Sequence, residues 1–166
     1  LLPIYDFQSV DEKRINDENY KNTPYGGVFN WGSDPQNYNS PEGSYSSNPY
    51  DGKTRVKELK MVSKAFNEAG IGIMMAVVFN HMPSQANSSF EQIVPGYYFR
   101  GRNDSGAGSD TASERVMFRK FMADVTETWV KEYKLSGYRF DLMGLHDVDT
   151  MNTVSDRVNA ALKEVN

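Results

Sequence analysis

The strongest constraint on this chain is a run of nine residues, Ile71–Phe79, that are all apolar except for Gly72. A strand with one wet face alternates polar and apolar residues; a continuous run marks a strand buried on both faces, as in a parallel sheet. The run is far shorter than the roughly 20 apolar residues of a membrane-spanning helix. Before it, Val56, Leu59, Val62, Phe66 and Ala69 recur at steps of three and four, which predicts a helix over Lys53–Ala69 with one apolar stripe. Gly70 stops that helix. Asn80 and His81 end the apolar run in polar chemistry.

The same alternation continues along the chain. Residues 1–5 read as the tail of a buried strand, and residues 6–52 as a long loop with turn chemistry at Gly26-Gly27, Pro41-Glu42-Gly43 and Tyr50-Asp51-Gly52. Asn80–Asp110 is a second long polar loop, and Asn103–Gly106 reads as its most flexible part. A helix is expected over about Ala112–Tyr133, with a capping box at Thr111 and Glu114 and a stripe through Phe118, Phe121, Val125, Trp129 and Tyr133. Gly137–Leu142 reads as a strand. A last helix is expected from about Thr150 to Val165, with Asp149 as its N-cap. The order β, α, β, α, β, α, with long loops after the strands, argues for an α/β fold with a parallel sheet. A (β/α)8 barrel and a doubly wound sheet both place their sites at the C-terminal strand ends, and periodicity alone does not choose between them. The chain of 166 residues opens on Leu1 directly in a strand-like stretch and closes just after a helix, so it reads as a fragment.

Composition removes several function classes. Eighteen Lys and Arg against 22 Asp and Glu give a net charge of −4, which is unsuited to general nucleic-acid binding. With no Cys there is no disulfide framework and no thiolate-ligated zinc or iron–sulfur centre. The compartment is left open.

Four groups of residues carry chemistry. Arg139 and Asp141 stand two apart on an expected strand, so both side chains share a face. They read either as a structural ion pair or as a carboxylate held ionised by a guanidinium and ready to act as nucleophile or base. Asn80 and His81 read either as local hydrogen-bonding groups or as site residues at a strand end. Phe29-Asn30-Trp31-Gly32 with Asp34-Pro35 combines rings and amides, which suits sugar stacking or a loop pinned by a buried Trp. Tyr38, Tyr45 and Tyr50 allow the same two readings. His146, Asp147 and Asp149 match no metal-binding spacing and read as polar loop and helix cap.

Gly137-Tyr138-Arg139-Phe140-Asp141-Leu142-Met143-Gly144-Leu145-His146-Asp147 resembles the second signature region of the α-amylase superfamily, and more narrowly that of the bacterial type I pullulanases of glycoside hydrolase family 13. Val77-Val78-Phe79-Asn80-His81 resembles the first signature region. Phe29-Asn30-Trp31-Gly32-Ser33-Asp34-Pro35 resembles the segment that distinguishes type I pullulanases. Pro41–Tyr45, Asn48–Gly52, Val94–Tyr98 and Ala112–Arg115 are also similar to that family, in the same order.

The resemblance implies part of a (β/α)8 TIM barrel, about strands two to four with their helices, over residues 1–166, with 82–110 as a short excursion after the third strand. It implies a retaining hydrolase of α-1,6 branches in pullulan, starch dextrins or glycogen, with Asp141 as nucleophile and Arg139 orienting it. His81, Asn80, Trp31, Asn30 and Asp34 are then the substrate-binding residues. An Asn like Asn80 binds calcium in many amylases, but debranching enzymes often lack the ion; no metal or other cofactor is carried over. The family's acid Glu and second Asp would fall beyond Asn166, so the 166 residues alone are expected to be inactive. Two positions depart from the family. Ala76 stands where an Asp normally pairs with the arginine, and Ser33 where a Tyr normally stacks on sugar. These departures motivate the alternative of an inactive amylase-like module for α-glucan binding or adhesion.

Overall fold

The computed structural model describes residues 1–21 and 27–165; the turn expected at Gly26-Gly27 lies partly outside them. The elements, in chain order, are β1 (Tyr5–Phe7), α1 (Glu18–Lys21), β2 (Pro35–Pro41), α2 (Gly52–Glu68), β3 (Met74–Val77), β4 (His81–Met82), α3 (Ser89–Ile93), β5 (Ser109–Asp110), α4 (Val116–Tyr133), β6 (Gly137–Phe140) and α5 (Val148–Val165). The expected parallel pairing is present. β3 and β6 run side by side with Met74 opposite Gly137, Ala76 opposite Arg139 and Val77 opposite Phe140. β1 pairs with β2, and β4 with β5, both antiparallel. The fold is thus mixed α/β.

The buried centre joins residues of α4 to those of β3 and the stretch just after it. Trp129, Phe118, Met122 and Phe79 are fully enclosed. Tyr38 stacks on Phe79 with ring centroids 4.7 Å apart. Three polar handles on these aromatic rings are all satisfied. The Trp129 indole N–H donates to the Tyr38 carbonyl at 2.7 Å, the Tyr38 hydroxyl donates to the Val78 carbonyl at 2.9 Å, and the Tyr5 hydroxyl accepts from the Val78 N–H at 2.9 Å. Buried aromatic groups need such partners, and here they clamp the backbone at the end of β3.

Several sequence expectations are corrected. Residues 35–41 form a strand rather than loop, held by Tyr38, which is core and therefore not a sugar platform. Leu1 and Leu2 are half exposed rather than buried, although the Leu1 carbonyl accepts from Ala76 N at 2.9 Å and so extends the ladder beside β3. Asp51 caps α2, accepting from Lys53 N. Of its expected core stripe, however, Val62 and Phe66 face solvent at 44% and 39% exposure. The capping box is also absent. α4 begins at Val116, the Thr111 hydroxyl donates to the Phe79 carbonyl, and Glu114 pairs with Arg100 at 2.7 Å. At α5 the N-terminal acceptor is Asp147, which takes the Thr150 N–H at 2.9 Å; Asp149 sits inside the first turn.

Candidate active site

The strand ends β3 and β6 bring two sequence-distant motifs together. The parallel ladder runs one residue past β6, because Asp141 N–H donates to the Val77 carbonyl at 2.9 Å. That places Asp141 level with the end of β3, where Val78 and Phe79 lead into Asn80 and His81. The Asn80 amide nitrogen donates to the Asp141 carbonyl at 3.0 Å, and the Asn80 amide oxygen lies 2.6 Å from His81 Nδ1. Arg139 reaches the Asp141 carboxylate at 2.7 Å, as expected for side chains two apart on a strand. Asn80, His81, Arg139 and Asp141 therefore form one hydrogen-bonded group.

The burial within this group is uneven. Asn80 and His81 are almost fully enclosed, whereas the Arg139 side chain is 65% exposed. Arg139 stands opposite Ala76, whose methyl group offers no counter-charge, so its one ion-pair partner among the described residues is Asp141. A pair this exposed contributes at most about 1 kcal/mol. Burial pushes the His81 imidazole below its ordinary value. The Ser33 backbone and the charges of Asp141, Asp110 and Asp34 oppose that shift without cancelling it. His81 is thus poised as a neutral hydrogen-bonding group.

The backbone after Asp141 is strained. Leu142 lies in the left-handed region at φ 45° and ψ 43°, a conformation costing a branched-chain residue roughly 1–2 kcal/mol. Strain of this kind persists where surrounding structure overrides it. A short 3-10 turn, Met143–Leu145, follows and delivers His146 into the interior.

The loop before β2 adjoins His81 through Ser33 and Asp34. Its own polar side chains hold its shape. The Asn30 amide donates to the Ser9 hydroxyl and its oxygen accepts from Gly32 N. Asp34 accepts from Ser9 N at 2.6 Å. Asn30 and Asp34 are therefore occupied within the loop, while Trp31 projects outward at 66% exposure. Trp31 does not pin the loop; it is an open aromatic face.

Two residues of the second long loop, given no site role by the sequence, complete the surroundings. In the β4–β5 pairing His81 stands opposite Asp110. Asp110 is fully buried and accepts from the N–H groups of Asp104 at 2.7 Å and Ser105 at 3.1 Å. Burial raises its pKa, but these donors prevail and hold it below the ordinary carboxylate value. The stretch read as most flexible is thus tied down. Gly108 lies so close that a Cβ there would come within 2.3 Å of the Met82 carbonyl oxygen and 3.1 Å of the His81 ring. Only a residue without a Cβ fits that close an approach.

Among the described residues one acidic group has metal-like geometry: Asp6, Glu12 and Glu42. Arg55 already occupies it, with its guanidinium 2.7 Å from Glu12 and 3.2 Å from the Pro41 carbonyl. No cation is required there.

These features define an α/β protein whose carboxylate, guanidinium, amide and imidazole gather at the C-terminal ends of adjacent parallel strands. No protein-family model matches the chain. Its similarity to curated proteins is nonetheless extensive: it is homologous over nearly all of its length to pullulanases. A Bacillus subtilis pullulanase is 42% identical over 167 residues, which cover 97% of this chain and 22% of the relative. A Klebsiella pneumoniae pullulanase is 38% identical over 143 residues, 80% of this chain and 13% of its own. Among solved structures, type I pullulanase from B. subtilis complexed with maltose is 41% identical with a TM-score of 0.87, over 97% of this chain and 22% of that one. Pullulanase from Paenibacillus barengoltzii in complex with maltohexaose and α-cyclodextrin also gives 0.87, at 40% identity over 96% of this chain and 25% of that one. The chain therefore spans about a fifth of the B. subtilis relative's length.

Proposed function

We propose that this chain is the nucleophile-bearing segment of a debranching α-glucan hydrolase, corresponding to about strands two to four of a (β/α)8 barrel, with residues 82–110 as the excursion after the third strand. The observation that carries the reading is the hydrogen-bonded group Asn80–His81–Asp141–Arg139 at adjacent strand ends, within a segment 42% identical to a pullulanase. In this account the Asp141 carboxylate attacks the anomeric carbon of an α-1,6-linked glucosyl unit. The bond to the leaving oxygen breaks as that oxygen takes a proton from a second carboxyl group. Water, deprotonated by the same group, then hydrolyses the glycosyl ester on Asp141. Arg139 orients the carboxylate, Asn80 ties the Asp141 backbone to His81, His81 hydrogen-bonds the sugar, and Trp31 offers a stacking face. Asn30 and Asp34 act through the loop they hold.

The mechanism needs two carboxyl groups across the scissile bond. By the family resemblance the acid lies outside these residues, so the isolated chain is inactive. Incubating the purified chain with pullulan tests this: no reducing sugar is expected, and its release would contradict the reading.

Ala76 opposite Arg139 supports a second reading, an inactive module that binds α-glucan. Under it, glucan pull-down survives Asp141→Ala and fails with Trp31→Ala. Under the hydrolase reading, restoring the counter-charge with Ala76→Asp draws Arg139 inward and lowers its exposure, measurable by slowed reaction with an arginine-specific reagent.

A further inference from the structure

Arg100 joins two stretches of chain that border the candidate active site. Its side chain is only 13% exposed, so its guanidinium needs partners. It finds them on both stretches. Nε and Nη2 donate to the Glu114 carboxylate at 3.1 and 2.7 Å, and Nη2 also reaches the Ser113 hydroxyl at 3.4 Å. Nη1 donates to the Leu145 carbonyl at 2.9 Å, across 45 residues of sequence. The backbone of Arg100 is fixed as well. Its N–H donates to the Asp110 carbonyl at 3.0 Å, and Phe99 pairs with Thr111. Asp110 stands opposite His81, and the Thr111 N–H donates to the Asn80 carbonyl at 3.1 Å. The guanidinium thus extends from the stretch paired to Asn80 and His81 and grips the turn that follows Asp141.

This grip bears on Asp141 because the chain between them is short and held at both ends. At one end the Asp141 N–H donates to the Val77 carbonyl, and the Asn80 amide donates to the Asp141 carbonyl. At the other, the Leu145 N–H closes the turn onto the Leu142 carbonyl at 2.9 Å, and Arg100 holds the Leu145 carbonyl. Among the described residues no other side chain hydrogen-bonds to residues 143–145. Only Leu142, Met143 and Gly144 lie between the two anchors. Glycine takes a positive φ without penalty, yet the positive φ falls on Leu142 and not on Gly144. The fixed ends, not local preference, therefore set this backbone. A charge-assisted hydrogen bond such as that from Arg100 is strong enough to oppose the strain.

We propose that Arg100 is a positioning residue for Asp141: by holding the Leu145 carbonyl it keeps Leu142 left-handed and fixes the backbone that carries the Asp141 carboxylate. The inference rests on the reading of Asp141 as nucleophile and adds a residue of the second long loop that sets its placement.

NMR of the isotopically labelled 166-residue chain tests it. In Arg100→Met the Leu142 Cα signal and its φ-dependent coupling should leave the left-handed range and the Asp141 carboxyl signal should shift, while the Trp129 indole N–H signal stays in place. Arg100→Lys should give the same shifts, because a compact ammonium cannot hold Glu114 and Leu145 together; it decides the matter if Arg100→Met loses the Trp129 signal by unfolding. Adding Leu142→Gly to the folded variant should return the Asp141 signal towards its original position, since glycine keeps that backbone without help from Arg100. A merely structural role for Arg100 predicts no such rescue. Unchanged Leu142 and Asp141 signals would overturn the proposal, and so would an Asp141 shift that Leu142→Gly does not reverse. These signals report where Asp141 stands whatever its chemistry, so their failure leaves the hydrolase reading intact.

Discussion

His146 is buried with neither ring nitrogen hydrogen-bonded in the described structure, which makes it an acid-sensitive point. Burial pushes its imidazole down from 6.5 to about 4, and the neighbouring Arg100 adds to the shift while Asp147 and Glu114 oppose it. The folded value lies below the unfolded one, so the contribution to stability is complete above pH 6.5. It is lost as pH falls from 6.5 towards 4, at up to about 1.4 kcal/mol per pH unit. Burial depresses His81 in the same direction. Asp110 and Asp147, lowered by their hydrogen-bond donors, weaken the fold only below the ordinary carboxylate range. Denaturant midpoints should therefore drop between pH 6.5 and 4, and His146→Leu should flatten much of that slope; an unchanged slope refutes the assignment. At Gly108 the expected cost of a methyl group is about 1–3 kcal/mol, because the Met82 backbone cannot move away freely. Gly108→Ala should lower the melting temperature and shift the His81 ring resonances; retention of both argues that the excursion does not bear on His81. The catalytic candidates were legible from spacing and strand position: two residues apart for Arg139 and Asp141, and the end of an apolar run for Asn80 and His81. Asp110 and Gly108 were not, because their importance arises from a β4–β5 pairing whose strands are two residues each.

Helices were easier to read than strands. α2, α4 and α5 carry apolar residues at helical spacing and turn or loop residues at their ends, and their extents fall near the expected ones. β2 has the sequence Pro-Gln-Asn-Tyr-Asn-Ser-Pro, with no β-branched residue and prolines at both ends, so local propensity argues against a strand. Tertiary contact overrides it through Tyr38. The false capping box shows the reverse: Thr111 and Glu114 have the right spacing, but the Phe79 carbonyl and Arg100 take their side chains. Two element-scale outcomes follow from the packing. Trp129→Ala should cost at least about 3–5 kcal/mol, since it removes a fully buried ring and orphans the Tyr38 carbonyl; a loss below 1 kcal/mol by urea titration would mean that α4 is not anchored there. Lys134 ends α4 in the left-handed conformation at φ 54°. Lys134→Gly should stabilise by about 0.5–1 kcal/mol, as glycine adopts that geometry without a Cβ penalty.

At the scale of the molecule, apolar side chains remain in solvent on several elements: Leu1, Leu2, Met61, Val62, Phe66, Ile71 and Met74 are each more than a third exposed. Surfaces of this kind mark contact sites or association hazards. The isolated chain should be marginally stable and should self-associate with rising concentration in sedimentation runs; a sharp, cooperative melt from a strict monomer would count against this. The central claim, that Asp141 is the nucleophile of a debranching segment, is tested most directly by transplanting residues 1–166 into the homologous stretch of the B. subtilis pullulanase, with Ala76→Asp included. The chimera is predicted to hydrolyse pullulan, and adding Asp141→Asn is predicted to lower the rate by about a thousandfold or more with the fold intact by circular dichroism. A chimera that hydrolyses pullulan equally well with Asn at position 141 would contradict the account.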